Sequence, residues 1–191
     1  MDIHALAKDP SPGVRASLAG KISHALARDE FAQKEKEIAA DILRILARDI
    51  EMQVRRSVAL ALSESISAPH DLVWRLANDV AEVAVPVLSH SPVLSEEDLI
   101  EIVHSTEEVA KLVGIAGRES ISEMLSEAIL ATSNEAAATA LLKNKSANIS
   151  DESIDKHLEF LSDSTTLLEN SRCLWRLAGK SGRKVICRGI R

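Results

Sequence analysis

The stretch LSEEDLIEIV, residues 94–103, decides the fold because it returns without a gap as ISDESIDKHL, residues 149–158. In both copies an aliphatic residue and a serine precede acidic residues, and apolar positions then recur at helical spacing. Serine is a favourable N-cap, acidic residues suit the positive end of a helix dipole, and this spacing gives one buried face. Each copy therefore predicts a short amphipathic helix that begins after its serine.

The same aliphatic–serine pair occurs four times, at intervals of 28, 27 and 28 residues. Such a period is typical of stacked helical units, none of which buries its apolar face alone. The four pairs are Ile66-Ser67, Leu94-Ser95, Ile121-Ser122 and Ile149-Ser150. A second helix is predicted in each unit, with N-caps at Asp79, Ser105, Thr132 and Asp163. Ser105 and Thr132 each match a capping box, because a glutamate follows three residues later.

The N-terminal third repeats at a longer interval. LAKD and VRASLA, residues 6–9 and 14–19, return 40 positions later as LARD and VRRSVA. This resembles the HEAT-repeat pattern, in which a helix ends at Asp and Val-Arg opens the next helix after a tight turn. The resemblance implies a ladder of ion pairs at the turns, and the matching positions are Asp9, Arg15, Asp49 and Arg55.

Two expectations follow for this ladder. Arg55 should lie within ion-pair distance of Asp9 or Asp49. The ladder should then lapse, because Ala84 stands where an arginine would follow Asp79.

A more specific resemblance lies in the middle of the chain. PHDLVWRLA at residues 69–77 and VAVPVLSHSPVLS at residues 83–95 are similar to a bacterial family, domain of unknown function 2336. The likeness covers residues 40–160. It implies a helical-repeat fold and assigns no catalytic residue. Pro86 falls inside a predicted helix, so a kink or a later helix start is expected there.

Together these patterns predict an all-α fold, a right-handed α-solenoid (ARM/HEAT superhelix) of about six HEAT-like two-helix units. Residues 1–65 form two longer units, residues 66–178 four units of about 28 residues that start near residues 66, 94, 121 and 149, and residues 179–191 a basic tail. The predicted core positions are Leu72, Leu76, Val83, Val87, Leu99, Ile102, Leu112, Leu125, Ile129, Leu141, Leu142, Ile154 and Leu158.

Composition limits the class of protein. Hydrophobic residues make up 46% and aromatic residues 2%, and no stretch reaches the roughly 18–20 apolar residues that cross a bilayer. The first residues lack the features of a secretory signal. Cys173 and Cys187 both lie in the last twenty residues, which leaves the body without a disulfide framework. A cytoplasmic protein is expected.

Charge is distributed unevenly. The last twenty residues carry seven basic side chains and no acidic one, which leaves 16 basic against 29 acidic side chains elsewhere, a formal net charge of −13. The seven candidate tail contacts are Arg172, Arg176, Lys180, Arg183, Lys184, Arg188 and Arg191. The tail is open to two interpretations: it grips an acidic partner, an anionic membrane surface or another copy, or it is the frayed end of a truncated chain.

No constellation indicates catalysis. The six histidines do not form a His-Glu-x-x-His motif, and neither a phosphate-binding glycine loop nor a Gly-x-Ser-x-Gly elbow is present. We therefore expect no enzymatic activity, no metal and no cofactor. Trp74 is interpreted as a buried packing anchor, with a surface hot spot as the alternative.

The leading functional hypothesis is a non-catalytic protein–protein interaction scaffold with an unknown protein or peptide partner. Its concave surface is expected on the second helices, where Lys111, Ala137, Ala138 and Thr139 would face the partner. The competing interpretation is that these alanines permit tight packing between units. The alternative function is nucleic-acid binding by a basic strip of Arg15, Arg55, Arg56, Arg75 and the tail, which an acidic body disfavours.

Overall fold

The computed structural model describes residues 11–27 and 32–157. Asp9, Asp163, Leu158 and the basic tail lie outside these ranges. Over the described residues the chain is all-helical and forms no strand. Its helices are α1 (Pro12–Ala27), α2 (Gln33–Leu46), α3 (Met52–Leu62), α4 (His70–Ala77), α5 (Ala81–His90), α6 (Glu96–Ser105), α7 (Val109–Ala116), α8 (Glu123–Ala131), α9 (Glu135–Lys143) and α10 (Asp151–Lys156).

The helices belong to two compact units, Met1–Asp98 and Leu99–Arg191, and α6 spans the boundary. In the first unit, α1, α3 and α5 pack side by side in one layer. α2 packs against α1 and α3, and α4 packs against α3 and α5. Each helix of this second layer therefore lies against the two helices that precede and follow it in the chain.

The second unit shows the same alternation. α7 packs against α9, and α8 packs against both of them. α10 in turn packs against α8. Small and branched side chains fill these contacts, and Ile115, Ile129, Leu130 and Leu141 are fully buried.

The apolar spacing of the sequence identifies the core correctly. Of the predicted core positions, all those from Leu72 to Ile154 are buried. Leu141 is fully buried and Ile102 is 2% exposed, so removing either side chain to Cβ would cost about 2–5 kcal/mol.

The serine N-caps are confirmed for three first helices. Ser95 Oγ accepts from the backbone N–H of Asp98 at 3.1 Å, and the Asp98 carboxylate accepts from the N–H of Ser95 at 2.8 Å, which is a reciprocal capping box. Ser122 and Ser150 accept in the same way from the N–H three residues later. The prediction is wrong for Ser67, because α4 begins at His70 with Pro69 as its N-cap.

Three predicted caps of the second helices are also wrong: Asp79, because the N-cap of α5 is Val80, and the pair Ser105 and Thr132. Asp163 lies outside the described residues. α7 begins after Glu108 and α9 after Asn134, so Ser105 and Thr132 belong to the ends of the preceding helices. Their hydroxyls donate back to the last turn, to Ile102 O at 3.2 Å and Ile129 O at 2.7 Å. Because both residues close the preceding helix, the next helix starts only after Glu108 or Asn134, which supply its N-cap instead.

Pro86 and the loops of the second unit complete the fold. α5 begins at Ala81 and contains Pro86 in its interior, so the later start considered for this helix does not occur.

The loops before α8 and α10 are joined by an isolated parallel bridge between Ile121 and Ala147, in which Asn148 N donates to Ile121 O at 2.8 Å. This bridge fixes the entry of two first helices relative to each other.

Candidate functional site

The turns of the first unit hold two arginine–aspartate pairs. Arg15, in α1, donates from Nε and Nη2 to the two carboxylate oxygens of Asp49, at 2.5 and 2.9 Å. Arg55, in α3, binds Asp79 in the same way, at 2.6 and 2.9 Å. Each ion pair therefore joins a helix to the turn of the helix pair that follows it. The two parallel N–H···O bonds of each ion pair fix the orientation of the two side chains as well as their distance.

Both aspartates are held as anions. Hydrogen bonds from Arg15 lower the pKa of Asp49 below its ordinary value, and the backbone N–H of Glu51 contributes further. Burial alone would raise the pKa of Asp79, but its bonds from Arg55 and the Val80 N–H outweigh burial and lower it. At neutral pH the two pairs are therefore fully ionised.

The partner of Arg55 differs from the predicted one, which was Asp9 or Asp49. The carboxylate that it binds is that of Asp79, whereas Asp49 offers Arg55 its main-chain oxygen, at 2.9 Å. The series of ion pairs also continues at Asp79, contrary to the prediction. The arginine of each ion pair comes from the preceding helix pair, so no arginine is needed after Asp79. Ala84, which follows Asp79, is buried in the core instead.

Beside these pairs lies an open cleft with a volume of about 600 Å³. Its walls come from the α2–α3 turn, α3, the C-terminal half of α4 and the α4–α5 turn. The lining residues are Arg48, Asp49, Arg55, Trp74, Arg75, Asn78 and Asp79. We call it the Trp74 cleft. Trp74 is half-buried there, so it is neither a fully buried anchor nor a wholly exposed side chain.

The Trp74 cleft carries an excess of positive charge. Arg15 and Arg55 neutralise its two aspartates. Arg48 and Arg75 are exposed, and among the described residues neither forms an ion pair. The cleft therefore presents two exposed guanidinium groups beside an aromatic ring. A signal for this site is present in the sequence, since a Leu-Ala-x-Asp phrase occurs at residues 46–49 and again at residues 76–79.

A second cleft, of about 500 Å³, lies in the second unit between α6, α8 and α10. Ile100, Met124, Ala128 and Ala131 give it mostly apolar walls. At its edge Lys156 donates to Glu127, and His157 Nε2 lies 3.3 Å from the same carboxylate oxygen. The bond from Lys156, with those from Ser153 and His157, lowers the pKa of Glu127 to about 2.

The residues predicted to face a partner on the second helices are buried, so that prediction of their exposure is wrong. Ala137 and Ala138 are fully buried, and Thr139 is 8% exposed, because α9 packs closely against α7 and α8. Lys111 is buried along its aliphatic stem, while its ammonium lies 3.2 Å from Glu108. Tight helix packing, the competing interpretation, accounts for the small side chains.

The predicted basic strip is divided in the structure. Arg15 and Arg55 are engaged by aspartates, whereas Arg56 and Arg75 are exposed. The tail contacts, Arg172 to Arg191, lie outside the described residues. No group of three metal-binding side chains occurs within residues 11–27 and 32–157. In that same part of the chain, none of the helices has the length and apolar character needed to span a bilayer.

The fold places the described chain among the all-helical proteins, and its candidate site is an open cleft lined by arginines, aspartates and a tryptophan. Residues 83–170 match a protein family described as "Uncharacterised protein conserved in bacteria (DUF2336)". The match confirms the resemblance over this segment, although it starts later than residue 40 and ends beyond residue 160. The Trp74 cleft precedes the matched segment. No curated protein and no solved structure matches the chain.

Proposed function

We propose that the protein is a non-catalytic interaction scaffold, a HEAT-like solenoid that binds a segment of a partner protein in the Trp74 cleft. The observation that carries this proposal is the placement of a half-buried tryptophan among arginines on an open surface. Tryptophan and arginine are the side chains most enriched among residues that dominate the binding energy of protein interfaces. A tryptophan that served packing alone would be expected to have its ring covered.

The surroundings of the cleft support a preformed site. Bidentate ion pairs hold its two turns, and the Asn78 side chain donates to Trp74 O at 2.9 Å at the end of α4. A site on ordered elements loses less conformational entropy when a ligand binds. The Trp74 cleft can therefore accept a flexible peptide without first being reorganised.

The alternating helix layers support the solenoid part of the proposal. Helices of one layer contact each other in chain order, and ion pairs connect successive helix pairs at intervals of 34 and 24 residues. Repeats that contact only their neighbours build extended surfaces, which are commonly used to bind other macromolecules.

Nucleic-acid binding is the alternative, and one observation favours it. Trp74 with Arg48 and Arg75 combines an aromatic ring with two cations, as sites that stack bases do. The formal net charge of −13 over residues 1–171 opposes it, because phosphate neutralisation supplies most of such affinity. We therefore place it second.

Site-specific photo-crosslinking tests the proposal. A benzoylphenylalanine at Asn78, which lines the Trp74 cleft, is compared with one at Gln53, which is exposed on α3 outside the cleft. In the native cell the first position should capture a discrete protein that the second does not. The captured protein, once purified, should bind the wild-type chain and bind Trp74→Ala more weakly, with the unfolding midpoint of each variant measured alongside. Equal capture at both positions would refute a partner site in this cleft.

A further inference from the structure

We infer that the Trp74 cleft recognises an anionic group, a carboxylate or a phosphate, on the peptide segment of its partner, through Arg48 and Arg75. This inference rests on the proposed function and goes beyond it by assigning the chemistry of the ligand and the two side chains that select it.

The two aspartates of the cleft are already paired with arginines. Asp49 and Asp79 each receive two N–H bonds from an arginine and one from a backbone N–H. Their oxygens are thus occupied by internal donors, and their charges are balanced by Arg15 and Arg55. A cationic ligand would therefore find no unpaired carboxylate at these two positions.

In the part of the chain that the structure describes, Arg48 and Arg75, in contrast to the two aspartates, are not paired with an opposite charge. Arg75 donates through Nε to Ala47 O at 3.3 Å, which ties its side chain to the end of α2. Within the described residues neither Arg75 nor Arg48 forms an ion pair, although the charge of Arg75 is close enough to Asp79 to help lower the pKa of that carboxyl. A guanidinium presents a planar fork of donors that matches carboxylate and phosphate oxygens. Two such forks on one cleft select a negatively charged ligand.

Trp74 indicates which kind of residue should neighbour the anionic group in the ligand peptide. Its indole N–H has no acceptor among the described residues, and the residue lines the same cleft. An indole combines an apolar ring with one donor, so it favours an apolar group that carries a hydrogen-bond acceptor. The expected ligand is therefore an acidic or phosphorylated side chain with an apolar residue close to it in sequence.

The size of the cleft agrees with a peptide. Pockets for small ligands measure about 300–1,000 Å³ and bury most of the ligand. The Trp74 cleft, at about 600 Å³, is large enough for a few side chains, and its open side leaves a path for the peptide chain on either side of the anion.

An oriented peptide library tests this chemistry without knowledge of the partner. The central position is fixed as Glu, phosphoserine, Gln or Ser, the flanks are randomised, and the purified full-length protein selects the binders. We expect Glu or phosphoserine to be enriched about tenfold over its neutral counterpart, the change for one charge-assisted hydrogen bond. Which of the two is enriched distinguishes a carboxylate ligand from a phosphate ligand. No enrichment of either would overturn the inference.

Matched variants then locate the selection. Arg48→Gln and Arg75→Gln should each abolish most of the enrichment, whereas Arg56→Gln, which removes an exposed arginine outside the cleft, should preserve it. Acid selection that survives in the Arg48→Gln/Arg75→Gln double variant would overturn the assignment. Inorganic phosphate is the remaining probe, and affinity for it equal to that for the selected peptides would exclude a peptide ligand. All three arginines are exposed, and circular dichroism should show folded variants.

Different experimental results would contradict the anion recognition and the scaffold function. A protein captured at position 78 whose affinity does not depend on Arg48 or Arg75 would leave the scaffold standing and remove the anion chemistry. Acid-selective peptides without any protein captured in the cell would contradict the scaffold instead.

Discussion

Arg55 and Asp79 lie 24 residues apart in the chain and form two N–H···O bonds, of 2.6 and 2.9 Å. Their side chains are 17% and 16% exposed, so the pair is largely shielded from water. It connects α3 to the turn that precedes α5, and it forms part of the wall of the Trp74 cleft. The same contact therefore stabilises successive helix pairs and shapes the candidate site.

The first prediction concerns this pair. Arg55→Gln should lower the free energy of unfolding by about 1.5–3 kcal/mol, because Asp79 would lose its charged partner while staying largely buried. Arg56→Gln, an exposed neighbour on the same helix, should change it by less than about 0.5 kcal/mol. Urea denaturation of both variants provides the measurement.

A double-mutant cycle with Asp79→Asn isolates the interaction between the two side chains. We expect a coupling energy of about 0.5–3 kcal/mol. Strict additivity of the two single variants would show that the pair does not stabilise the fold.

Sequence spacing identified the helices but not every contact between them. The first-helix caps at Ser95, Ser122 and Ser150 were predictable because capping is decided within four residues. Ser105 and Thr132 were misassigned because a hydroxyl between two helices can serve either one, and only the structure shows that it serves the earlier helix. Local signals alone therefore do not decide which of two adjacent helices a hydroxyl serves.

The partner of Arg55 and the Trp74 cleft required three-dimensional information. The six-residue spacing from Asp49 to Arg55 indicates proximity within one turn, yet the carboxylate oxygens that receive the guanidinium belong to the next turn. The cleft combines side chains from two turns and two helices, and no single segment contains them. The burial of Ala138 was undetermined for a related reason, since alanine suits both a groove and a tight helix contact.

The second prediction tests that burial. Ala138→Glu should destabilise the protein by about 3–5 kcal/mol, because it places an unpaired charge at a fully buried position between α9 and its neighbours. Ala136→Glu is the matched control: it lies on the same helix, is exposed, and adds an acid near the N-terminus, where the helix dipole favours it. Thermal denaturation should separate the two variants clearly. Similar unfolding midpoints for both would mean that α9 does not bury Ala138.

The third prediction is a pH dependence that originates at Glu127. Its pKa is lowered from 4.5 to about 2, chiefly by the bond from Lys156. A folded-state pKa below the unfolded value stabilises the fold above the unfolded pKa, and the contribution disappears as the pH falls. The stability difference between the wild type and Glu127→Gln should therefore be largest above about pH 4.5 and shrink towards about pH 2.

Carboxyl-carbon NMR titration of Glu127 checks the cause directly. Lys156→Met should raise the pKa of Glu127, although the effect is reduced by solvent because Lys156 is 65% exposed. A titration near pH 4.5 in the wild type would contradict the ion pair.

The last prediction separates the two proposed functions. The chain should not bind duplex DNA or RNA with sub-micromolar affinity at about 0.15 M salt. Arg15 and Arg55 are neutralised by aspartates, which leaves few cations on the predicted strip, and residues 1–171 carry a formal net charge of −13. Any weak binding should come from the seven basic residues of the tail and should fall steeply as salt is raised. Fluorescence anisotropy with a labelled duplex, repeated after deletion of residues 172–191, is the measurement. Tight binding that survives this deletion but is lost in Arg48→Gln/Arg75→Gln would place nucleic acid in the Trp74 cleft and reverse the order of the two proposals.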